Sequence, residues 1–203
     1  MVKALANGRR LELVELLAQG EHSVEQMAEI SGMGVTSTSA HLQNLKQAGL
    51  VRTRRDGTRI YYRLAGDDVA ALYLAAKQVG LARYPQLREA LEGYMREPGS
   101  DRAAPTIEPA AITGEMTVID VRPEEEFRAG HFPGSISIPL AELADRVDEI
   151  DPGSRVVVYC RGEICRMARE AAGWLRERGI DALAMDEGVV EWRGNHDVEL
   201  GVS

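Results

Sequence analysis

Cysteine is scarce in this chain: Cys160 and Cys165 are the only two in 203 residues. That scarcity excludes a disulfide framework and a four-thiol zinc site. There is no apolar run of the ~18 residues that a membrane span needs. The first residues, Met1 to Arg10, lack an apolar signal core, so no secretion is indicated and a cytoplasmic location is expected. Basic charge is also short overall, with a net charge of −8 and a pI near 5.1. Evenly spread, that charge would argue against a nucleic-acid binder. What is present is ordinary globular composition, 44% hydrophobic and 28% charged, at a length that suits two units of about a hundred residues each.

The charge is not evenly spread. Residues 1–98 hold 13 Lys and Arg against 11 Asp and Glu, a net of +2, whereas 99–203 hold 11 against 21, a net of −10. Within 41–63, Lys46, Arg52, Arg54, Arg55, Arg59 and Arg63 face Asp56 alone, a local +5. A basic stripe is often just a solvated face, so the surrounding pattern has to decide.

That pattern reads as a winged helix-turn-helix. Leu11, Leu13, Val14, Leu16 and Leu17 give a helix over 10–18, stopped by Gly20. Ser23 caps a second helix through Ile30, and Gln26 completes a capping box. Ser31 to Gly34 make a turn, and Thr36 to Ala48 a third helix with Leu42 and Leu45 inward and Gly49 as its stop. Alternating strands over 50–55 and 58–64 flank Asp56-Gly57, a hairpin signal. Two helices, a turn, a third helix and a basic β-ribbon make a DNA-reading arrangement. The third helix would offer Thr36, Ser37, Thr38, Ser39, His41 and Gln43 to base edges or phosphates, and the hairpin Arg54, Arg55 and Arg59 to the backbone or minor groove. The blander readings are a half-buried His41 and a hydroxyl run of which one member caps the helix.

Here the chain resembles the ArsR family of bacterial winged-helix repressors, over roughly residues 1–95. The matching pieces are Ser39-x-His41-Leu42-x-x-Leu45-x-x-Ala48-Gly49-Leu50-Val51 and the wing Asp56-Gly57…Tyr61-Tyr62-x-Leu64. The resemblance implies an operator-binding homodimer built from the first and last helices. The last would be the stretch Asp67 to Met95, bent near Pro85. One departure matters. Metal-sensing members carry a cysteine pair where this chain reads Glu21-His22-Ser23-Val24, so thiolate sensing of arsenite inside this half is excluded. A surface His/carboxylate zinc site is the remaining alternative there, and no metal or cofactor is expected.

Arg96 to Thr106 read as a Pro/Gly/Ser linker, which predicts units at 1–96 and 106–203 joined by 97–105. The second unit alternates strands (117–121, 135–138, 155–159, 182–185) with helices (123–129, 140–150, 167–178) and a last helical turn at 189–192. That alternation predicts an α/β parallel sheet with helices on both faces. A Val-Val-Val-Tyr strand runs into Cys160-Arg161-Gly162-Glu163-Ile164-Cys165-Arg166, and a helix follows. The spacing puts the Cys160 thiol at the carboxyl edge of the sheet, in a loop whose N–H groups and following helix form an anion cradle of Gly162, Glu163 and Ile164. Such a field lowers a thiol pKa, and Arg161 and Arg166 would add oxyanion donors.

These residues resemble the rhodanese family over about 105–201. The landmarks are Ile119-Asp120-Val121-Arg122, Glu126-Phe127-x-x-Gly130-His131-Phe132-Pro133-Gly134-Ser135…Ile138-Pro139, Val158-Tyr159-Cys160-Arg161 and Glu187-Gly188-x-x-Glu191-Trp192. The resemblance implies that Cys160 takes a sulfane sulfur from a small donor, holds a persulfide and passes it to a thiol acceptor, with Arg161 and Arg166 assisting. It makes Asp120, Arg122, His131 and Trp192 architectural. Two departures stand out. The loop is one residue longer than usual, giving the Cys160-x5-Arg166 spacing of phosphatases and rhodanese-like arsenate reductases. Cys165 either resolves a Cys160 persulfide or packs at the helix start.

Three functions follow from these readings. One is a homodimeric DNA-binding repressor whose rhodanese-like unit carries or senses sulfane sulfur, redox state or an oxyanion. Another is chiefly an enzyme, a thiosulfate sulfurtransferase or arsenate reductase, on a winged-helix scaffold. The third is an inert anion-binding module. The +5 stripe favours the first, because a scaffold has no need of it.

Overall fold

A computed structural model of the chain describes residues 2–96, 105–151 and 153–202. The expected linker, apart from Pro105, lies outside the described residues. The first half begins with α1 (Val2–Leu5), which has no clear sequence signal, and α2 (Gly8–Leu17). The Asn7 side chain accepts from the Arg10 N–H at 3.2 Å and caps α2, which buries Leu13, Val14, Leu16 and Leu17. A two-residue strand, β1 (His22–Ser23), leads into α3 (Val24–Ser31). There the expected capping box is in place. The Ser23 hydroxyl accepts from the Gln26 N–H at 3.2 Å, and the Gln26 side chain accepts from the Ser23 N–H at 2.8 Å. Gly32, at φ +63°, ends α3 in the left-handed conformation.

Helix α4 (Val35–Gln47) buries Leu42 and Leu45. It is followed by the hairpin of β2 (Val51–Asp56) and β3 (Arg59–Leu64) around Gly57, at φ +58°. The wing sheet has the antiparallel order β1-β3-β2, with His22 opposite Tyr62. The single bent helix expected over 67–95 is two helices, α5 (Asp67–Arg83) and α6 (Pro85–Met95). Pro85 holds the residue before it extended, and Tyr84 (φ −120°, ψ 92°) breaks the helix rather than bending it.

The second half is a five-stranded parallel sheet in the order β4-β8-β7-β5-β6. Its strands are β4 (Thr106–Ile107), β5 (Met116–Asp120), β6 (Ile136–Ser137), β7 (Arg155–Tyr159) and β8 (Ala182–Met185). The helices are α7 (Glu124–Ala129), α8 (Leu143–Arg146), α9 (Met167–Arg176) and α10 (Val189–Asn195). The helix expected over 140–150 is only the short α8 and a 3₁₀ turn at Val147–Glu149. Strand β4 had no sequence signal. One core joins β5, β7 and β8 to α9 through Ile119, Val156, Val158, Ala168, Ala172 and Leu175. A second, behind the sheet, packs Val157, Tyr159 and Trp192, the Tyr159 and Trp192 rings 5.1 Å apart. Asp120 and Arg122 form a fully buried ion pair at 2.6 Å where β5 ends, the architectural role the sequence suggested.

The halves are packed together. Helix α10 lies on α5, and its Val190 joins the core of the helical half. Gly194 permits that approach, because a side-chain carbon there would collide with Leu74 and the backbone of Ala70 and Ala71. Gly20 similarly sits against Ala129. Arg193 reaches Asp67 at 3.7 Å, and the Gln26 amide donates to Glu125 at 3.0 Å.

Candidate functional site

Strand β7 occupies the centre of the parallel sheet and is buried from Val156 onward, so it delivers Cys160 to the carboxyl edge. Helix α9 starts at Met167, the register that puts Ala168, Ala172 and Leu175 inside. The loop therefore runs from Cys160 to Arg166. Its fold is tied down on two sides. The Cys165 N–H donates to the Gly162 carbonyl at 2.9 Å, and the Val190 N–H donates to the Arg161 carbonyl at 3.1 Å. Gly188 is obligatory behind the loop, since a side-chain carbon would overlap the Cys160 carbonyl and the Gly162 nitrogen.

Both thiols are free, and they are placed differently. Cys160 is only 3% exposed. Its S–H donates to the Cys165 carbonyl at 3.3 Å and lies within hydrogen-bonding reach of the Cys165 sulfur. Burial pushes the Cys160 thiol well above its ordinary value, despite the Gly162 and Ala168 N–H groups directed at it. The direction is opposite to the depressed thiol expected at Cys160. The depressed thiol is Cys165, brought down to about 7 by the hydrogen bond from Cys160, then by the N–H groups of Met167 and Arg161 and by the Arg161 charge.

The two arginines expected as oxyanion donors are engaged elsewhere. Arg161 is clamped on the buried Glu126 carboxylate through Nε at 3.0 and 3.1 Å. Arg166 turns outward, 5.2 Å from the Tyr94 ring centroid, with Glu170 at 3.6 Å and the Arg96 carbonyl at 3.5 Å. Of the other loop residues, Glu163 pairs with Lys77 of α5 at 3.0 Å, and Ile164 faces the helical half.

The mouth of the loop opens onto the helical half. Cys165, Ile164, Arg161, Arg166, Met167 and Glu170 form one wall of a cleft of about 400 Å³; Glu12, Glu15, Leu16, Ile30 and Tyr94 form the other. The Tyr73 hydroxyl donates to Glu15 at 2.8 Å, yet burial still raises the Glu15 pKa. The loop is also held from beneath. Gln19, fully buried at the end of α2, donates to the Arg161 carbonyl at 3.1 Å and accepts from Arg122 at 3.2 Å. Lys77 spans Glu163 and Glu191, the latter at 2.6 Å. Glu126 and Glu191 fall inside the rhodanese-like stretches, which was the signal available for them. Gln19 and Lys77 carry none, because the partners that matter here lie far along the chain in the second half.

On the DNA-reading side, Gly34 rather than a hydroxyl occupies the N-cap of α4. Thr38 is fully buried, its hydroxyl donating to the Gly34 carbonyl at 3.1 Å, which removes it from the groove-facing residues. Thr36 and Ser37 are exposed at the helix start, while Ser39 and His41 are half-buried further along. The Gln43 amide donates to the Tyr62 hydroxyl at 2.9 Å. Arg54 is paired with Glu21 at 2.7 Å and Asp56 at 3.2 Å, and Arg63 lines the cleft beside Ala129 and Arg193. Arg55 and Arg59 stand exposed at the hairpin tip.

A winged helix-turn-helix packed on a rhodanese-like sheet defines a two-part regulator. Residues 7–53 match the family described as bacterial regulatory protein, arsR family, and residues 108–195 match the rhodanese-like domain. The chain is 46% identical over 191 residues to HTH-type transcriptional regulator Rv0324 of Mycobacterium tuberculosis, covering 94% of this chain and 84% of that protein. It is 45% identical over 74 residues to HTH-type transcriptional regulator KmtR of the same organism, where the match spans 36% of this chain and 57% of that protein. A solution structure of a Mycobacterium bovis fragment, the homodimeric winged helix-turn-helix DNA-binding domain Mb0332, is 56% identical. It covers 40% of this chain and 75% of its own, at a TM-score of 0.38. The chain belongs to the ArsR family of transcriptional regulators, in a form that carries a C-terminal rhodanese-like domain. Among the described residues no helix is long and apolar enough to cross a membrane.

Proposed function

We propose that this protein is a homodimeric, operator-binding repressor whose rhodanese-like loop senses sulfane sulfur and changes DNA affinity when its thiols react. The 1–96 unit reads DNA, the 106–203 unit carries the chemistry, and 97–105 joins them. Thr36, Ser37 and the flanking Ser39 and His41 enter the major groove, with Arg55 and Arg59 on the backbone. The second copy covers the apolar face of α5 and α6, where Val79, Tyr84, Leu87 and Tyr94 are exposed by 50% or more.

The observation that carries this reading is Gln19, which lies in the turn just past the first long helix of the DNA-binding half and donates to the carbonyl next to Cys160. A thiol modification that reshapes the loop has to move that hydrogen bond. The oxyanion-processing alternative is less well supported, since Arg161 and Arg166 are both already paired with carboxylates.

The test is anisotropy of a labelled operator against the full chain. Affinity should fall with salt at a log–log slope near −0.9 per phosphate contacted, and inorganic polysulfide should shift it. A salt-independent signal would sink the DNA-binding part, and an unshifted curve the sensing part.

A further inference from the structure

We infer that Lys77, on α5 of the DNA-reading half, is a positioning residue for the sulfur chemistry of the second half: its ammonium group holds Glu163 and Glu191 at the thiol loop and offsets their charge. The inference rests on the sulfane-sulfur reading above and adds to it a cation supplied from the other half of the chain.

The geometry grips the loop at two places. Glu163 belongs to the loop itself, between Cys160 and Cys165, and pairs with Lys77 Nζ at 3.0 Å. Glu191 comes from α10, which lies on α5, and its Oε1 accepts from Lys77 at 2.6 Å. Its Oε2 accepts from the Gly188 N–H at 3.0 Å. That carboxylate rests directly on Gly162, where a side-chain carbon would stand 2.7 Å from one oxygen and 3.1 Å from the other. The Gly162 N–H is in turn directed at Cys160. The Lys77 side chain is only 10% exposed and that of Glu191 9%, so salt screens this pair weakly.

The other charges around the thiols are matched locally. Arg161 is held by Glu126, Arg166 by Glu170, and Glu12 by Arg9. Glu15, across the cleft, accepts from the hydroxyl of Tyr73, one turn before Lys77 on α5, and burial raises its pKa. Glu163 and Glu191 remain, and the cation that meets both is Lys77.

Sulfur transfer puts negative charge on this loop. By the rhodanese resemblance, Cys160 loses its proton to solvent and the thiolate attacks a sulfane sulfur of an inorganic polysulfide. The donor's S–S bond breaks, its electron pair leaves on the shortened polysulfide, and a Cys160 persulfide remains. The attacking thiolate, the donor and the leaving group are all anions. Carboxylates at Glu163 and against Gly162, left without Lys77, would oppose each of them.

The experiment compares the full chain as wild type, Lys77→Gln, Glu163→Gln and the double variant. Alkylation of the loop thiols by iodoacetamide is followed by intact mass from pH about 6 to 10, and sulfur uptake from inorganic polysulfide at pH about 8. Lys77→Gln should move the alkylation midpoint up by about half a pH unit and slow sulfur uptake about threefold. Glu163→Gln should move the midpoint down, and its side chain, 46% exposed, poses no folding question. The double variant restores the local net charge and should return close to the wild type; a side chain needed only for packing is not rescued by removing its partner's charge. A Lys77→Gln protein with the wild-type midpoint overturns the proposal, as does a double variant no nearer the wild type than Lys77→Gln. If Lys77→Gln fails to fold, Glu163→Gln decides, and a midpoint at or above the wild-type value overturns the proposal. A wild type that takes up no sulfur overturns the sulfane-sulfur reading and this role with it. Sulfur uptake with unshifted variants overturns the role of Lys77 alone.

Discussion

The Gln19 side chain donates to the Arg161 carbonyl across 3.1 Å, and its oxygen accepts from Arg122 at 3.2 Å. Gln19 is buried and belongs to the DNA-reading half; both partners belong to the thiol-bearing half. One amide therefore joins the reactive loop, the buried Asp120–Arg122 pair and the end of α2. Replacing it by Ala leaves a buried Arg122 N–H without its partner, while the Arg161 carbonyl keeps only the Val190 N–H, a loss of about 1–3 kcal/mol. Gln19→Ala should lower the denaturant midpoint accordingly. It should also weaken the response of operator affinity to polysulfide while preserving sulfur uptake. Chemical denaturation and anisotropy, run side by side, check both; an unchanged response would place the coupling elsewhere.

Gly194 sets the distance between α10 and α5. A methyl group there meets Leu74 and the α5 backbone, so Gly194→Ala should lift α10 and withdraw Val190 from the helical core. The backbone cannot yield as a side chain can, and overpacking of this kind typically destabilises by about 1–3 kcal/mol. Calorimetry should find the variant melting in two separated transitions where the parent melts in one. A single transition at an unchanged temperature would mean that the interface tolerates the methyl.

Much of this architecture was legible in the sequence because it is locally encoded. The capping box at Ser23 and Gln26, the Asp56-Gly57 hairpin and the strand running into Cys160 each depend on neighbours within a few residues. Pro85 marked the right place, but its effect on Tyr84 was stronger than a bend. What escaped was non-local. Strands β1 and β4 are two residues long and exist only because β3 and β8 offer them an edge. The arginines around Cys160 suggested a cationic cradle, yet Glu126 and Glu170 take their charge. Which thiol lines the cleft was equally unreadable, because the helical half makes the opposite wall.

His22 supplies a pH dependence. It is 3% exposed on β1, and neither ring nitrogen has a hydrogen-bond partner among the described residues. Burial lowers its pKa below the ordinary 6.5, outweighing the attraction of Glu126, Glu125 and Glu21, while Arg161 opposes the charge. The unfolded chain therefore binds a proton at a pH where the folded chain does not. Stability should fall as pH drops through 6.5 and level off below the folded value. Urea midpoints at pH about 7.5 and 5.5 should differ more for the parent than for His22→Leu, whose side chain has no proton to take up. Equal differences in the two proteins would assign the acid sensitivity to another group.

Glu15 lines the cleft at the mouth of the thiol loop. Its carboxyl faces the thiol across the cleft beside Glu12 and Glu170, while Arg161 is held by Glu126 and Arg166 by Glu170. A doubly charged donor such as thiosulfate gains no free cation there among the described residues and meets several carboxylates. A singly charged hydropolysulfide meets half the repulsion, and Leu16, Ile164 and Met167 suit its apolar sulfur chain. The parent should therefore accept sulfur from polysulfide faster than from thiosulfate at equal concentration. Glu15→Gln keeps the side-chain shape, retains an acceptor for the Tyr73 hydroxyl and removes the charge. It should raise the thiosulfate rate several-fold and the polysulfide rate by only about the square root of that factor, because the singly charged donor is relieved of half the repulsion. Sulfur uptake followed by mass on both proteins with both donors decides it. Equal acceleration with the two donors would mean that Glu15 acts on the thiol rather than on the incoming charge.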